Sequence, residues 1–343
     1  MKKLFNLLPV ILCLFDGNTN ITTDVGLSEE MKTYYSDYLI DLAEPELVHA
    51  QFGQKRDIPK NGGKTIQFRK YDSLPKALTP LTEGKTPNGQ KINMGVLEAT
   101  VAQYGGFAEL SDVLLLTAID NNLVEATQLL GSQAGRTLDT LTREELAGGT
   151  NVQYAEGQVS SRSALVGGAE SGNHYLTVNA VRRAVRSLKV MNAPKINGDY
   201  VGIIHPDCSY DLMNDPDWKY PHQYVDTQNV YNEEIGKVAG VRFCETSEAK
   251  IFVGAGASGR DVYATMIFGD KAYGTTSVSG GGLTHIVKQL GSAGTADPLN
   301  QRATCGWKAL FVAKRLVEQY LVRIETTSTF TGTAASTGSE TVA

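Results

Sequence analysis

Gly62-Gly63-Lys64-Thr65-Ile66-Gln67-Phe68-Arg69-Lys70-Tyr71 is the stretch that decides the architecture. Ile66 and Phe68 alternate with Thr65, Gln67 and Arg69, the period of two that builds a half-buried strand. A second β-like stretch runs from Ile92 to Tyr104, rich in Val, Leu, Thr and Tyr. Between them, Ser73 to Gln90 carries Pro75, Pro80, Gly84, Pro87 and Gly89, residues that turn the chain and interrupt pairing. The expectation is a long two-stranded ribbon with an irregular tip. Such a ribbon is marginal alone and leaves its edges unpaired, so about forty residues committed to one imply support from a neighbour.

The same region is basic. From Lys55 to Lys91 there are nine Lys/Arg against three Asp/Glu, a local charge of +6. The whole chain of 343 residues carries −5, which leaves −11 for the remainder and argues against a broad nucleic-acid-binding face. The ribbon has no aromatic stacking platform, so its expected partner is an acidic patch on a neighbouring copy rather than nucleic acid. Lys64, Arg69, Lys70, Lys76 and Lys85 are the candidate contact residues. A hydrophobic fraction of 41% allows a substantial core, and 35 glycines point to many turns between elements.

Upstream, Met1-Lys2-Lys3 and the apolar run Leu4 to Phe15 look like a secretory signal peptide or an apolar arm that docks on another subunit. The run is too short to span a bilayer, and Asp16 to Asn20 lack a clear small-x-small cleavage site. Ser28 with Glu29 and Glu30 starts a helix whose Met31, Tyr34, Tyr35, Tyr38, Leu39 and Leu42 recur at helical spacing, with a break at Pro45.

Downstream lies the longest helical signal. Ser111-Asp112 can cap it, Leu116, Ile119, Leu123, Leu130, Ala134, Leu138, Leu141 and Leu146 form its apolar face, and Gly148-Gly149 ends it. Thr177 caps an amphipathic helix with Val181, Val185 and Leu188 on one face and Arg182, Arg183, Arg186 and Lys189 on another. Tyr200 to Ile204 reads as a buried strand, and His205-Pro206-Asp207 opens a short helix. Val238 to Phe243, Lys250 to Val253 and Asp261 to Phe268 read as strands. Leu283 to Lys288 and Val322 to Glu325 read as a last strand pair, with Trp307 to Leu316 between them. The Ser/Thr-rich tail from Thr326 has too little apolar surface to fold alone.

No motif asks for catalysis. Gly254 to Gly259 fits GxGxxG, but the alternating residues that follow read as a strand rather than the helix a dinucleotide site needs, so the segment is expected to be a hairpin turn. His49, His174, His205, His222 and His285 are scattered without metal-ligand spacing, and Cys13, Cys208, Cys244 and Cys305 form no CxxC pair. His205-Pro206-Asp207 reads as a turn and cap, and Ser160 to Ser163 as a solvated polar loop. The carboxylates Asp215, Asp217, Glu233 and Glu234 lack EF-hand spacing. No catalytic, cofactor-binding or metal residue is assigned.

The order of these features resembles the major capsid proteins of tailed bacteriophages with the Hong Kong 97 fold. The resemblance runs from about Thr22 to Glu325 and rests on Thr23 to Ser28, Leu81-Thr82-Glu83-Gly84, and Gly236 to Arg242. Asp297 to Arg302, Gly306-Trp307-Lys308 and Val322 to Glu325 look like the family's closing segment. It implies an α+β fold: an N-terminal arm (1–52), an extended β-hairpin loop with an entry strand (53–110), and a spine helix in a peripheral domain (111–177). A mainly axial domain (178–280), a return to the peripheral domain (281–325) and a flexible tail (326–343) complete it. It also implies self-assembly as hexamers and pentamers into an icosahedral shell around double-stranded DNA, touched non-specifically at the inner wall. Scaffolding, portal or decoration proteins would be further partners, with no cofactor and no membrane. The protein would belong to the virion and assemble in the bacterial cytoplasm. An encapsulin-like compartment shares the fold class, and a secreted surface or adhesin protein would explain the apolar N-terminus.

Overall fold

The computed structural model describes residues 47–71, 74–80, 83–86, 88–117, 122–155, 159–167, 174–218, 234–278, 281–292 and 297–330. Met1 to Phe15, the helix expected over Ser28 to Leu42 and Cys13 lie outside these residues. In chain order, β1 (Gln54–Ile58) precedes the ribbon strands β2 (Thr65–Tyr71) and β3 (Met94–Thr100). β4 (Ala102–Ser111) leads into helices α1 (Asp112–Thr117) and α2 (Asn122–Ala147). β5 (Val152–Tyr154), α3 (Val178–Val190), β6 (Tyr200–Ile204) and α4 (Pro206–Asn214) follow. Then come β7 (Glu234–Val238), β8 (Val241–Glu245), β9 (Ile251–Phe252) and β10 (Val262–Phe268). The chain closes with β11 (Tyr273–Val278), β12 (Thr284–Lys288), β13 (Arg302–Arg315) and β14 (Leu321–Thr326).

Local chemistry explains where the helices begin. Ser111 Oγ accepts the Leu114 N–H at 3.2 Å and caps α1. Thr177 caps α3 by accepting the Ala180 N–H, and its Val181, Val185 and Leu188 are buried as their spacing requires. His205 caps α4 through Nδ1, and Pro206 fills the first helical position, where no N–H is needed. The long helical signal resolves into α1 and α2, with 118–121 outside the described residues. Leu116, expected on the apolar face, is 82% exposed. At 26 residues, α2 is about 39 Å long.

Two sheets organise the body. The first has five strands in the order β1-β11-β13-β12, with β4 on the other edge of β13. Helix α2 covers one face of it, packing Leu130, Ala134 and Leu138 on Cys305, Trp307 and Ala309. The Trp307 indole donates to Gln133 Oε1 at 3.1 Å. The second has seven strands, β5-β14-β10-β6-β8-β7, with β9 added beside β10. Alternation along its central strands splits the core. Tyr200, Ile204, Tyr263, Ile267, Val322 and Ile324 meet α3, whereas Val201, Ile203, Met266 and Phe268 meet Leu146, Ala147 and Tyr273 on the far side. Burial on both faces is why β6 reads as a buried apolar run, and why β10, expected to alternate, is buried along its whole length, Thr265 included.

Three expectations are corrected. The single strand read over Val238 to Phe243 is the hairpin of β7 and β8, turned at Ala239 (φ 53°) and Gly240 (φ 82°), the left-handed pair of a tight two-residue turn. Leu283 to Lys288 and Val322 to Glu325 do not pair: β12 joins β13 in one sheet, and β14 joins β10 and β5 in the other. The start of the polar tail is buried, because Thr327 Oγ1 donates to the Val166 carbonyl and Ser328 Oγ to the Asp207 carbonyl. Hydrogen bonds, not apolar area, hold it.

Candidate intersubunit surface

β2 and β3 form a two-stranded antiparallel sheet of their own, with Thr65 opposite Thr100 and Tyr71 opposite Met94. The ribbon is tied at its root. The Val101 N–H donates to the Lys64 carbonyl at 2.8 Å, and Phe68, Ala99 and Val101 are buried. The Phe68 ring lies against Gly274 of β11, where an added Cβ would sit 3.4 Å away. Gln67 Nε2 donates to Glu98 Oε1 at 2.7 Å across the strands.

Pairing register puts Thr65, Gln67, Arg69, Met94, Val96, Glu98 and Thr100 on the face opposite Phe68. That outward face mixes charge and apolar surface. Met94 and Val96 are about half exposed, and Leu74, Leu78 and Ile92 toward the tip are more so, Leu78 reaching 82%. Lys64, Arg69, Lys76 and Lys85 are all exposed. Among the described residues, none of these four forms an ion pair. Lys70 stands opposite Gly95 in the register, and its side chain lies outside the description. In the body, Arg143, Arg162, Arg242, Lys250 and Arg323 are paired with carboxylates, whereas the exposed Arg183, Arg186 and Lys189 of α3 form no ion pair among the described residues.

The candidate chemistries resolve into structure. Gly254 to Gly259 turns the chain between β9 and β10, which pair antiparallel, and the Gly254 N–H donates to Asp261 Oδ1 at 2.7 Å. Asp207 accepts the Tyr263 hydroxyl at 2.6 Å beside the His205 cap. Asp215 Oδ2 accepts the Val178 N–H at the start of α3, a second cap rather than a cation ligand. Glu233 lies outside the described residues, as does the Glu234 side chain. Cys208, Cys244 and Cys305 are buried and not disulfide-bonded. Burial pushes the Cys208 and Cys305 thiols up, away from the reactive thiolate. Among the described residues there is no cluster of three metal-ligating side chains, and no helix long and apolar enough to cross a membrane.

Two polar constellations had no sequence signal. His49 is fully buried, with its backbone N–H donating to Asp139 Oδ1 and its ring Nδ1 2.6 Å from Asp139 Oδ2. Arg162, assigned to a solvated loop, instead grips buried Glu325 with two bonds of 2.8 and 2.7 Å.

The fold is that of known shells. The structure matches the capsid of Ralstonia phage GP4 with a TM-score of 0.65 at 13% identity, covering 81% of this chain and 87% of that one. It matches the cyanophage Pam1 capsid at 0.60 and 14%, covering 84% and 92%, and the cyanophage P-SCSP1u capsid at 0.59 and 15%, covering 80% and 86%. No curated protein sequence matches the chain. A sequence profile described as phage capsid protein matches residues 95–269, which is just over half the chain. With that profile spanning β3 to β10 and an α+β body of capsid type beneath an outward ribbon, the chain belongs to the phage capsid protein family, as a major capsid protein forming the head shell of a tailed phage.

Proposed function

We propose that the protein assembles as hexamers and pentamers into an icosahedral shell around double-stranded DNA, with the ribbon of each copy lying on the acidic body of the next. The observation that carries this reading is the ribbon's exposed surface: Lys64, Arg69, Lys76 and Lys85, which form no ion pair among the described residues, beside exposed Met94, Val96, Ile92 and Leu78. A surface of that kind suits an interaction site, where opposite charge on the neighbour supplies register and apolar area supplies affinity. Repetition around a closed shell lets moderate contacts add up. The excess of −11 outside the ribbon suits an inner wall that does not grip the genome, so contact with DNA is non-specific.

In this reading residues 1–52 are the N-terminal arm, 53–110 the extended loop and its entry strand, and 111–177 the spine helix with the peripheral domain. Residues 178–280 are mainly the axial domain, 281–325 return to the peripheral domain, and 326–343 form the tail. The role is structural rather than enzymatic. Assembly takes place in the bacterial cytoplasm, with scaffolding, portal or decoration proteins as further partners.

Reversing the ribbon charge tests it. The triple variant Lys64→Glu, Arg69→Glu, Lys70→Glu is expected to lower the yield of sedimenting shells at least about tenfold, the equivalent of about 1.4 kcal/mol. The thermal melting of the subunit should stay close to the parent, since the ribbon is a sheet of its own. Normal shell yield from a folded triple variant would overturn the ribbon's role.

A further inference from the structure

The ribbon is not the only highly charged stretch. Residues 16–46 hold eight carboxylates (Asp16, Asp24, Glu29, Glu30, Asp37, Asp41, Glu44 and Glu46) against the single cation Lys32, a net −7. This stretch nearly cancels the +6 between Lys55 and Lys91.

The body brings the roots of the two stretches to one corner. The acidic stretch ends at Glu46, and three residues later His49 is locked to Asp139, while its carbonyl accepts the Tyr273 hydroxyl. The ribbon is seated one residue along the same strand, where Phe68 packs against Gly274. His49, three residues past the acidic segment, and Phe68 of the ribbon are therefore held at adjacent residues of β11, Tyr273 and Gly274.

Reach allows them to meet. The ribbon strand β2 has seven residues and spans about 23 Å, whereas the 31 residues from 16 to 46 can extend to at most about 105 Å. Segments tethered this closely see each other at an effective concentration on the order of millimolar, above that of a second copy in dilute solution. Apolar surface matches as well as charge. Met31, Tyr34, Tyr35, Tyr38, Leu39 and Leu42 recur at helical spacing among the carboxylates, and the ribbon exposes Met94, Val96, Ile92, Leu74 and Leu78 among its cations.

We propose that in the free subunit the acidic segment Asp16 to Glu46 folds back onto the basic ribbon of its own chain, covering the surface that later meets a neighbour. Ion pairs between carboxylates of the segment and Lys64, Arg69, Lys76 and Lys85 hold it, so the contact is strong at low salt and weak at high salt. Joining the shell then exchanges one anionic partner of the ribbon for another.

The test uses full-length unassembled subunits, a dilute mixture of natural-isotope and nitrogen-15-labelled chains, treated with a carbodiimide that couples carboxylates to lysine amines without a spacer. The expected products are peptides joining residues 16–46 to Lys64, Lys76 or Lys85, with both halves carrying the same isotope. Their yield should fall at least about fivefold between about 0.05 and 0.5 M sodium chloride, as the screening length shrinks. The variant Glu29→Gln, Glu30→Gln, Asp37→Asn, Asp41→Asn should lose most of them without lowering the melting temperature of the body. Mixed-isotope peptides in the majority would make a second copy the occupant and overturn the proposal. Absence of any coupling between the two segments would overturn it equally. The readout precedes assembly, so its failure is separate from a failure to form shells.

Discussion

At the scale of single residues, Glu325 is the carboxylate on which the body depends. It is fully buried at the end of β14, takes two bonds from Arg162 and one of 2.8 Å from Arg323 Nε. Arg323 in turn donates to the carbonyls of Ala147 and Gly149, the open C-terminal end of α2, while Arg162 lies 3.4 Å above the Phe252 ring. Removing the carboxylate strands two guanidinium groups, so Glu325→Ala is expected to lose about 3–5 kcal/mol, read as a fall in thermal midpoint. An unchanged midpoint would contradict the assignment. Histidines make the body sensitive to acid. His174 Nδ1 accepts the Val166 N–H at 2.7 Å and His205 Nδ1 the Asp207 N–H at 3.1 Å, roles only the neutral ring fills. Burial pushes His174, His205 and His285 below the usual 6.5, with Asp207 and Glu245 opposing at His205. Because the folded values are depressed, the stability is fully present above 6.5 and is lost as pH falls through them. The urea midpoint should therefore be lower at pH 5.5 than at pH 7.5, and a rise on acidification would contradict this. None of the Glu325 cluster was legible beforehand: Arg162 and Glu325 are 163 residues apart, and a lone Arg between serines carries no sign of its partner.

At the scale of elements, legibility followed local chemistry. Caps at Ser111, Thr177 and His205 and the alternation of Ile66 and Phe68 lie within a few residues of what they determine, and each placed its element. The hairpin of β7 and β8 escaped because Ala239 occupies a left-handed position usually held by Asn or Gly, so the apolar run appeared continuous. Strand β13 escaped because Gly306 and Lys308 interrupt its apolar pattern, although it pairs with β4, β11 and β12 at once. The ribbon's dependence on its root gives a prediction at this scale. Phe68→Ala should remove about 2–3 kcal/mol of protection from the amides of β2 and β3. Hydrogen exchange would show this as loss of protection confined to the ribbon, with the seven-stranded sheet unaffected. Equal loosening of both sheets would mean that Phe68 supports the whole body instead.

At the scale of the whole molecule, chain order hides which sheet a strand joins. Leu110 of β4 pairs with Ala303 of β13, and the chain passes from β13 of the five-stranded sheet to β14 of the seven-stranded one, which begins six residues after β13 ends. Those choices follow from burial on both faces of β10 and β6, a property of the assembled core and not of any one window. What the sequence does carry at this scale is asymmetry: a basic ribbon on a chain that is otherwise acidic, a pattern that makes sense for copies packed against one another. Electron microscopy of the purified full-length protein, brought to assembly conditions without other components, examines that directly. Uniform closed polyhedral shells are the predicted result. Only dispersed subunits or irregular aggregates, across a range of salt and concentration, would contradict it.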